Sequence, residues 1–323
     1  FIIRKIIMDK IKSMIEMADS ILILTHINPD GDALGSSLSM YNMLVSKGYK
    51  TDIMVINAPL TFSFLPNYDK IITTSSKYYD LVIVVDTATL DRIGQDAHYF
   101  ENAKYTINID HHKSNTNYAN YNYVLGNSPA CCEYLYEIYN KLGIEIDKDI
   151  ATCLICGILT DTGGFQYSEV NYKTFDIASH LSKIVDIPMM YKKVLGTRTK
   201  AQFELSKIAS SRLEFYDNDK VCFTYLLQED LYSCNASNSD HEGIVNIGRD
   251  IEGVEASIFL REQDGMYRVS LRGNGNIDLS EVSKLFGGGG HKNAAGITLK
   301  KEMPFEELKK KLIDAVINEL NNG

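Results

Sequence analysis

The chain has 323 residues, of which 45% are hydrophobic, and a formal net charge of −9. This length allows two domains with a core each, and the acidic balance excludes a broad basic surface that would bind long nucleic acid. No stretch approaches the ~20 apolar residues that a membrane-spanning helix needs.

The first predicted strand is the apolar run 21–24, and a polar loop follows it directly. The loop carries an imidazole, His26, and two carboxylates, Asp30 and Asp32. A proline and a glycine between them force the chain to bend, so the two carboxylates can diverge toward two neighbouring cations. Without cations these charges would repel each other. The loop therefore indicates a site for two metal ions.

Two later apolar runs end in residues of the same kind. Residues 81–85 lead into Asp86, and residues 105–109 lead into the Asp-His-His run 110–112. Continuous apolar runs separated by helical patterns are typical of a parallel sheet that is buried on both faces. Ligands of such sheets gather beyond the carboxyl ends of the strands. We therefore expect these polar side chains to lie together.

A helical pattern over 150–158 precedes the fourth polar group, Asp161. Taken alone, an aspartate after a strand is more often a helix cap than a ligand, and a single histidine is usually satisfied in the core. It is the ordered set of four groups that favours a metal site. The nearby cysteines 153 and 156 lie in the same apolar helical run, so we expect buried thiols in a reduced, cytoplasmic protein.

The second half of the chain contains no metal motif and has its own pattern of elements. Helices are predicted on either side of the boundary, over 172–184 and 201–209. Within the second half, strands are predicted over 221–227, 254–260 and 267–271, and a closing helix over 304–320. The expected fold is α/β throughout. A domain with a parallel sheet and flanking helices spans 1–186, a linker spans 187–199, and a smaller α/β domain spans 200–323.

A glycine-rich segment lies near the C-terminus. Four glycines at 287–290 precede His291 and a run of small residues that ends at Gly296. A flexible linker is one interpretation. The histidine and the small residues favour the other, which is close approach of the backbone to a ligand. Upstream, Arg272 ends a Ser-Leu-Arg sequence.

The order of these motifs, over about residues 20 to 300, resembles the DHH phosphoesterase superfamily with its DHH-associated C-terminal domain. The resemblance is to its stand-alone members of the oligoribonuclease and 3′-phosphoadenosine-5′-phosphate phosphatase type. In that family a serine commonly follows the arginine of the Ser-x-Arg sequence, whereas this chain has Gly273. Family II inorganic pyrophosphatases share the first four motifs but not the glycine-rich one.

The resemblance implies a role for each matching residue. One divalent ion would be held by His26, Asp30 and Asp86, and the other by Asp32, Asp86, His111 and Asp161. Asp110 and His112 would be catalytic, Asp110 as an orienting group. Substrate would be bound by Arg272, Gly288, Gly289, Gly290 and His291. Mixed histidine and carboxylate ligands suit manganese, with magnesium or cobalt as alternatives.

The activity implied is hydrolysis of short oligoribonucleotides, including linear dinucleotides such as pApA, and of 3′-phosphoadenosine-5′-phosphate, to mononucleotides. A cyclic di-AMP phosphodiesterase is one alternative, and an inorganic pyrophosphatase is a weaker one. A non-catalytic nucleotide sensor would be expected to lack a ligand, and none is missing. The expected partners are short RNA or a nucleotide, with no long duplex and no membrane, and a homodimer is left open.

Overall fold

The computed structural model describes residues 2–167, 169–237, 240–275 and 277–322, without the side chains of residues 2–8, 291 and 322. The chain divides into two compact units, Phe1–Thr197 and Arg198–Gly323. They are called the first unit and the second unit below.

The first unit is built on a six-stranded parallel sheet with the order β3-β2-β1-β4-β5-β6. Its strands are β1 (Ile21–Leu24), β2 (Thr51–Met54), β3 (Ile71–Ile72), β4 (Leu81–Val85), β5 (Tyr105–Asp110) and β6 (Tyr121–Val124). The direction of the strand order reverses between β1 and β4, which both lie at the centre. In open α/β sheets the crevice at such a reversal is where ligands bind.

Helices cover both faces of this sheet. They are α1 (Ile2–Met17), α2 (Gly31–Ser46), α3 (Ala97–Asn102), α4 (Cys131–Lys141), α5 (Lys148–Asp161), α6 (Tyr172–Leu181) and α7 (Ile187–Val194), with short 3₁₀ segments at Leu60–Phe62, Tyr68–Lys70 and Leu90–Asp96. On β1, Ile21 and Ile23 pack into a core with α2, α4 and α5, whereas Leu22 and Leu24 pack into a second core with α3. This alternation is why the strand sequences are apolar without a break.

The second unit contains a mixed six-stranded sheet with the order β11-β12-β10-β9-β8-β7. Its strands are β7 (Glu214–Tyr216), β8 (Val221–Leu226), β9 (Ala256–Gln263), β10 (Met266–Gly273), β11 (Gly289–His291) and β12 (Ala294–Lys300). Its helices are α8 (Lys200–Ser211), α9 (Gln228–Ser233), α10 (Ile244–Arg249), α11 (Leu279–Lys284) and α12 (Phe305–Asn322). Residues of α11 and α12 form a core on one face of the sheet, and residues of α8, α9 and α10 form a smaller core on the other.

The predicted α/β class, with a parallel sheet in the first half, is confirmed. The segment predicted as a linker contains helix α7, whose Met190 is buried in the core of the first unit. All six cysteines are unpaired, and those at 153 and 156 are fully buried, as expected. Within the described part of the chain, no helix is both long enough and apolar enough to span a membrane.

Candidate metal centre

The eight polar side chains that the sequence indicated in the first unit converge at the carboxyl ends of the central strands. The loop after β1 and the first turn of α2 supply His26, Asp30 and Asp32; the ends of β4 and β5 supply Asp86, Asp110, His111 and His112; the last residue of α5 is Asp161. The His111 Nε2 atom lies 3.3 Å from carboxylate oxygens of both Asp86 and Asp161, and 3.8 Å from Asp32 Oδ2. His26 Nε2 lies 4.0 Å from Asp86 Oδ2.

Two imidazoles of the site are oriented by backbone carbonyls. His26 Nδ1 lies 3.0 Å from the carbonyl oxygen of Ile27, and His111 Nδ1 lies 3.0 Å from that of Ser128. Because a carbonyl only accepts, each Nδ1 carries the proton, and in the neutral ring Nε2 keeps its lone pair. This arrangement is typical of histidines that ligate metals through Nε2.

The two carboxylates of the first loop are held by different helix ends. Asp30 is the N-cap of α2, and its Oδ1 accepts from the backbone amides of Asp32 and Ala33, each at 3.0 Å. Asp32 is fully buried, and its two oxygens accept from the first amides of α4, those of Cys131 and Cys132, at 2.6 and 2.9 Å. Backbone amides at helix ends stabilise negative charge, so both carboxylates are fixed before any ligand binds.

Asp86 occupies the centre of the constellation in an unusual backbone conformation. Its φ is 49°, in the left-handed region that costs a residue with a side chain roughly 1–2 kcal/mol. The conformation is held by a hydrogen bond from the Asp86 amide to the carbonyl of Ile109 on β5, at 2.9 Å. The left-handed turn ends β4 and leaves the carboxylate buried among the three histidines.

Two buried atoms at this centre have no hydrogen-bond partner among the residues that the structure describes. They are Asp86 Oδ1 and His111 Nε2, which face each other at 3.3 Å. A buried polar atom without a partner costs about 1–3 kcal/mol, and a metal ion bound by both would remove that cost. Among the described residues, three groups bring ligand atoms within 4.8 Å of one another: His26, Asp30 and Asp86; Asp32, His111 and Asp161; Asp86, His111 and His112.

The electrostatics also favour a cation. Burial, and then the charge of Asp86, raise the pKa of Asp32 to about 7. Burial and the charge of Asp32 raise the pKa of Asp161 well above its usual value. Burial also acts to raise the pKa of Asp86, but contact with His111 and the charges of the three histidines lower that pKa to about 2. Burial would lower the pKa of His111, yet Asp86 and the neighbouring carboxylates raise it. The metal-free site therefore holds excess negative charge that protons partly neutralise.

His112 and Asp110 form a separate pair at the edge of the site. His112 Nδ1 lies 2.8 Å from Asp110 Oδ1, and Asp110 Oδ2 accepts from the amide nitrogen of Asn115 at 2.6 Å. The side chain of His112 is 19% exposed and that of Asp161 is 25% exposed, whereas Asp32 and Asp86 are enclosed. The site thus opens on the side of His112 and Asp161.

Sequence reasoning missed the groups that hold the ligands. These are the carbonyl of Ser128, the amides of Cys131 and Cys132, and the side chain of Asn115. Backbone groups have no sequence signature. Asn115 follows the Asp-His-His run closely, and this proximity was the one available signal.

The substrate-binding candidates lie in the second unit. Arg272 on β10 and His291 on β11 both pair with Ala294 of β12, so the three residues are in register across three strands. The side chain of His291 is outside the described part of the structure. A Cβ atom on Gly288 would lie 2.3 Å from the carbonyl oxygen of Gly296, so the backbones approach too closely there for any side chain.

The other two glycines proposed to bind substrate, Gly289 and Gly290, differ in how much space surrounds them. Gly290, with φ of 151°, would place a Cβ atom 2.4 Å from the carbonyl oxygen of Ala294, whereas a Cβ atom on Gly289 would meet nothing within 4 Å. Strand packing therefore explains Gly288 and Gly290, and Gly289 leaves bare backbone on an open surface.

Comparisons with known proteins identify two domains and several relatives. The DHH family N-terminal domain matches residues 20–158, and the DHHA1 domain matches residues 218–322. The chain is 30% identical, over 94% of its length and 91% of the relative, to the bifunctional oligoribonuclease and PAP phosphatase NrnA of Thermus thermophilus. It is 32% identical to the probable NrnA of Streptococcus mutans, over 90% of this chain and 92% of that one.

A solved structure extends the similarity to the whole fold. The crystal structure of an exopolyphosphatase-related protein from Bacteroides fragilis is similar with a TM-score of 0.91 and 28% identity, covering 97% of this chain and 96% of that one. The fold, the domain order and the sequence agree, and the chain belongs to the DHH family of phosphoesterases, with a DHHA1 domain after the DHH domain.

Proposed function

We propose that the centre in the first unit binds two divalent metal ions and hydrolyses phosphate esters of short oligoribonucleotides and of 3′-phosphoadenosine-5′-phosphate. The observation that carries the proposal is the pair of buried, unpartnered atoms, Asp86 Oδ1 and His111 Nε2, among carboxylates whose charges are not balanced. The substrate class is supported by the two relatives, which are named for activity on oligoribonucleotides and PAP.

The proposed ligands form two sets that share one residue. One ion takes His26, Asp30 and Asp86, and the other takes Asp32, Asp86, His111 and Asp161; both sets are supported by the observed groups of ligand atoms. The group that includes His112 is a poorer candidate because the Nδ1 atom of His112 already bonds to Asp110. Carboxylate and imidazole ligands suit manganese, with magnesium or cobalt as alternatives.

The chemistry follows from the charges of the site. Two divalent ions held by these residues would supply the positive charge that activates water and that stabilises an in-line displacement at phosphorus. In our proposal His112 acts beside them as the acid that protonates the leaving oxygen. Burial lowers the pKa of His112, but the hydrogen bond to Asp110 and the charge of Asp86 raise it. A raised pKa favours the protonated ring, which is the form that an acid requires.

Asp110 orients this acid. One of its oxygens accepts from His112 Nδ1 and the other from Asn115, so the carboxylate is fixed from both sides. The His112 ring then directs its second nitrogen away from Asp110. Such carboxylate–histidine pairs set both the tautomer and the ring orientation.

The second unit supplies the proposed grip on substrate. Arg272 offers a planar fork of donors that matches a phosphate group, and we assign His291 and the backbone of Gly288, Gly289 and Gly290 to the same substrate. The register of Arg272 and His291 across β10, β12 and β11 supports their acting together.

A substrate panel tests the proposal. Purified protein with manganese is given pApA, 3′-phosphoadenosine-5′-phosphate, cyclic di-AMP and pyrophosphate, and the products are separated by chromatography. We expect AMP from the first two substrates, and no turnover in excess EDTA. Faster turnover of cyclic di-AMP than of pApA would favour the alternative phosphodiesterase, and turnover of pyrophosphate alone would overturn the proposal. Turnover that persists in EDTA would contradict the metal centre.

A further inference from the structure

One face of the second sheet carries a row of arginines that the proposed function does not use fully. Along β10, Tyr267, Val269 and Leu271 point into the core formed with α11 and α12. The alternate residues Arg268, Ser270 and Arg272 therefore lie on the opposite face.

That opposite face is covered over only part of its width. The core formed with α8, α9 and α10 buries Leu226 of β8 and Phe259 of β9. On the other side of β10, Gly296 and Thr298 of β12 are exposed, and so is Arg268. An open strip with small side chains thus runs along β12 beside the arginines of β10.

A second arginine lies directly opposite Arg268. The register pairs Arg268 of β10 with Arg261 of β9, which places two like charges side by side on adjacent strands. Like charges directly opposite each other destabilise a sheet. Within the described residues, neither guanidinium forms a hydrogen bond or an ion pair with a carboxylate.

Arg261 is also partly buried. Its Nε atom is buried and has no hydrogen-bond partner in the described part of the chain. Burial, and then the charge of Arg268, lower the pKa of Arg261 to about 10, although the charge of Glu242 acts in the other direction. An arrangement that is unfavourable in the free protein is expected where a ligand supplies the missing charge.

We propose that Arg261 and Arg268 form a second anionic subsite, which binds a phosphate of an oligonucleotide beyond the phosphate held at Arg272. This inference rests on the proposed function, because it places the rest of the same substrate. Guanidinium groups are suited to phosphate oxygens by their planar fork. The exposed small residues of β12 leave room for the chain between the two positions.

The spacing of the arginines predicts which substrates reach the subsite. Arg268 and Arg272 are four residues apart on one strand, about 14 Å at ~3.4 Å per residue. A stacked nucleic acid strand rises ~3.4 Å per nucleotide, so the two phosphates are separated by at most about four nucleotides, and by fewer in an extended chain. A dinucleotide or 3′-phosphoadenosine-5′-phosphate is too short to occupy both positions. The subsite therefore confers a preference for longer oligonucleotides.

The test is a length series of 5′-phosphorylated RNA from two to five nucleotides, given to the full-length protein with manganese. The variants are Arg261→Gln and Arg268→Gln. We expect KM for the pentanucleotide to rise about tenfold in each variant, as for loss of one charge-assisted hydrogen bond, and KM for the dinucleotide to stay within about twofold. Lys301→Gln is the matched control, because Lys301 has the same charge but forms an ion pair with Glu262. Glu262 follows Arg261 on β9, so its side chain lies on the other face of the sheet.

Salt dependence gives a second measurement that does not need turnover. Binding of a fluorescent pentanucleotide to the metal-free protein is followed by anisotropy at several salt concentrations. Each lost phosphate contact should reduce the slope of log Kd against log salt by about 0.7. Arg268→Gln should leave the melting temperature unchanged or raise it, because it removes a repulsion.

The outcomes separate this subsite from the function on which it rests. If the wild-type protein cleaves neither length, the proposed function and the subsite both fail. If it cleaves both and the arginine variants change neither the length dependence nor the salt slope, only the subsite is wrong. An equal loss on dinucleotide and pentanucleotide, or an equal effect of Lys301→Gln, would also overturn it.

Discussion

Replacing Gly157 by alanine should disable the metal centre, although it substitutes none of the proposed ligands. Gly157 lies on α5 where this helix crosses α2, and a Cβ atom there would lie 2.4 Å from Asp32 Oδ1 and 2.3 Å from Cys132 Sγ. A Cβ contact is rarely below 3.0 Å and is ordinary only at 3.4 Å. The carboxylate of Asp32 must therefore move by about 0.6 to 1.0 Å, or the helices must separate by a similar distance.

The structure leaves Asp32 no easy way to move. The carboxylate is fully buried, and both of its oxygens accept from the amides of Cys131 and Cys132. A displacement near 1 Å at a reacting centre costs on the order of a hundredfold in rate. Overpacking of a core costs about 1–3 kcal/mol, which for a unit of this size lowers the melting temperature by roughly 2–12 °C.

The assay combines manganese titration by calorimetry, kcat/KM on a small aryl phosphodiester, and thermal melting. Gly35→Ala is the matched control, because a Cβ atom on Gly35 would lie 2.5 Å from the carbonyl oxygen of Cys153 in the same helix contact, with no proposed ligand among its nearest atoms. We expect similar losses of stability in both variants, but weaker metal binding and about a hundredfold lower kcat/KM chiefly in Gly157→Ala. Normal metal affinity and rate in a folded Gly157→Ala protein would refute the reasoning.

Three further predictions follow from the same geometry. Asp86→Ala should abolish metal binding at both positions, whereas Asp110→Ala should lower kcat and leave the ions bound, so equal and mild losses would contradict the shared-ligand assignment. Arg272→Ala should lower kcat/KM for a nucleotide roughly tenfold to a hundredfold but leave a small aryl phosphodiester almost unaffected; equal losses on both would remove Arg272 from substrate binding. The melting temperature of the metal-free protein should fall between pH 5 and pH 8. In this range Asp32, whose pKa is raised to about 7, keeps a proton in the folded protein that it has already lost in the unfolded chain. The stabilising charge of His111 is also lost as the pH rises through the raised pKa of this histidine. Manganese should weaken this dependence, and a melting temperature that stays level or rises without metal would show that these groups do not titrate as described.

The strands, and the convergence of the candidate ligands, were predictable because both leave a mark in the sequence. Strands buried on two faces are apolar throughout, so each polar residue that ends one is conspicuous, as with Asp86. In the second unit the same rule ended the predicted strand at residue 260, whereas β9 continues through Arg261 to Gln263. The predicted strand 267–271 likewise omitted Arg272, which lies within β10. On a partly open face a strand carries arginines, and there the apolar pattern no longer marks the end of the strand.

What supports the ligands could not be predicted, because it depends on contacts between distant parts of the chain. Asp32 accepts from amides that lie 99 and 100 positions away. Gly157 matters only because α5 crosses α2 at that residue. The carbonyl that orients His111 belongs to a serine whose side chain makes a different bond, to the carbonyl of Ala130.

The backbone therefore determines how rigid this centre is. His26 and His111 are oriented by carbonyls, and Asp30 and Asp32 by helix amides. Main-chain groups of strands and helices cannot rotate away as side chains can, so the ligands are held in place even though their charges repel one another. The part of the repulsion that bound protons do not neutralise is thus stored in the folded, metal-free protein instead of being relieved by movement. A cation that enters such a site gains the full attraction of the carboxylates with little reorganisation. The same rigidity explains why a single methyl group on Gly157, outside the ligand set, is expected to cost as much as the loss of a ligand contact.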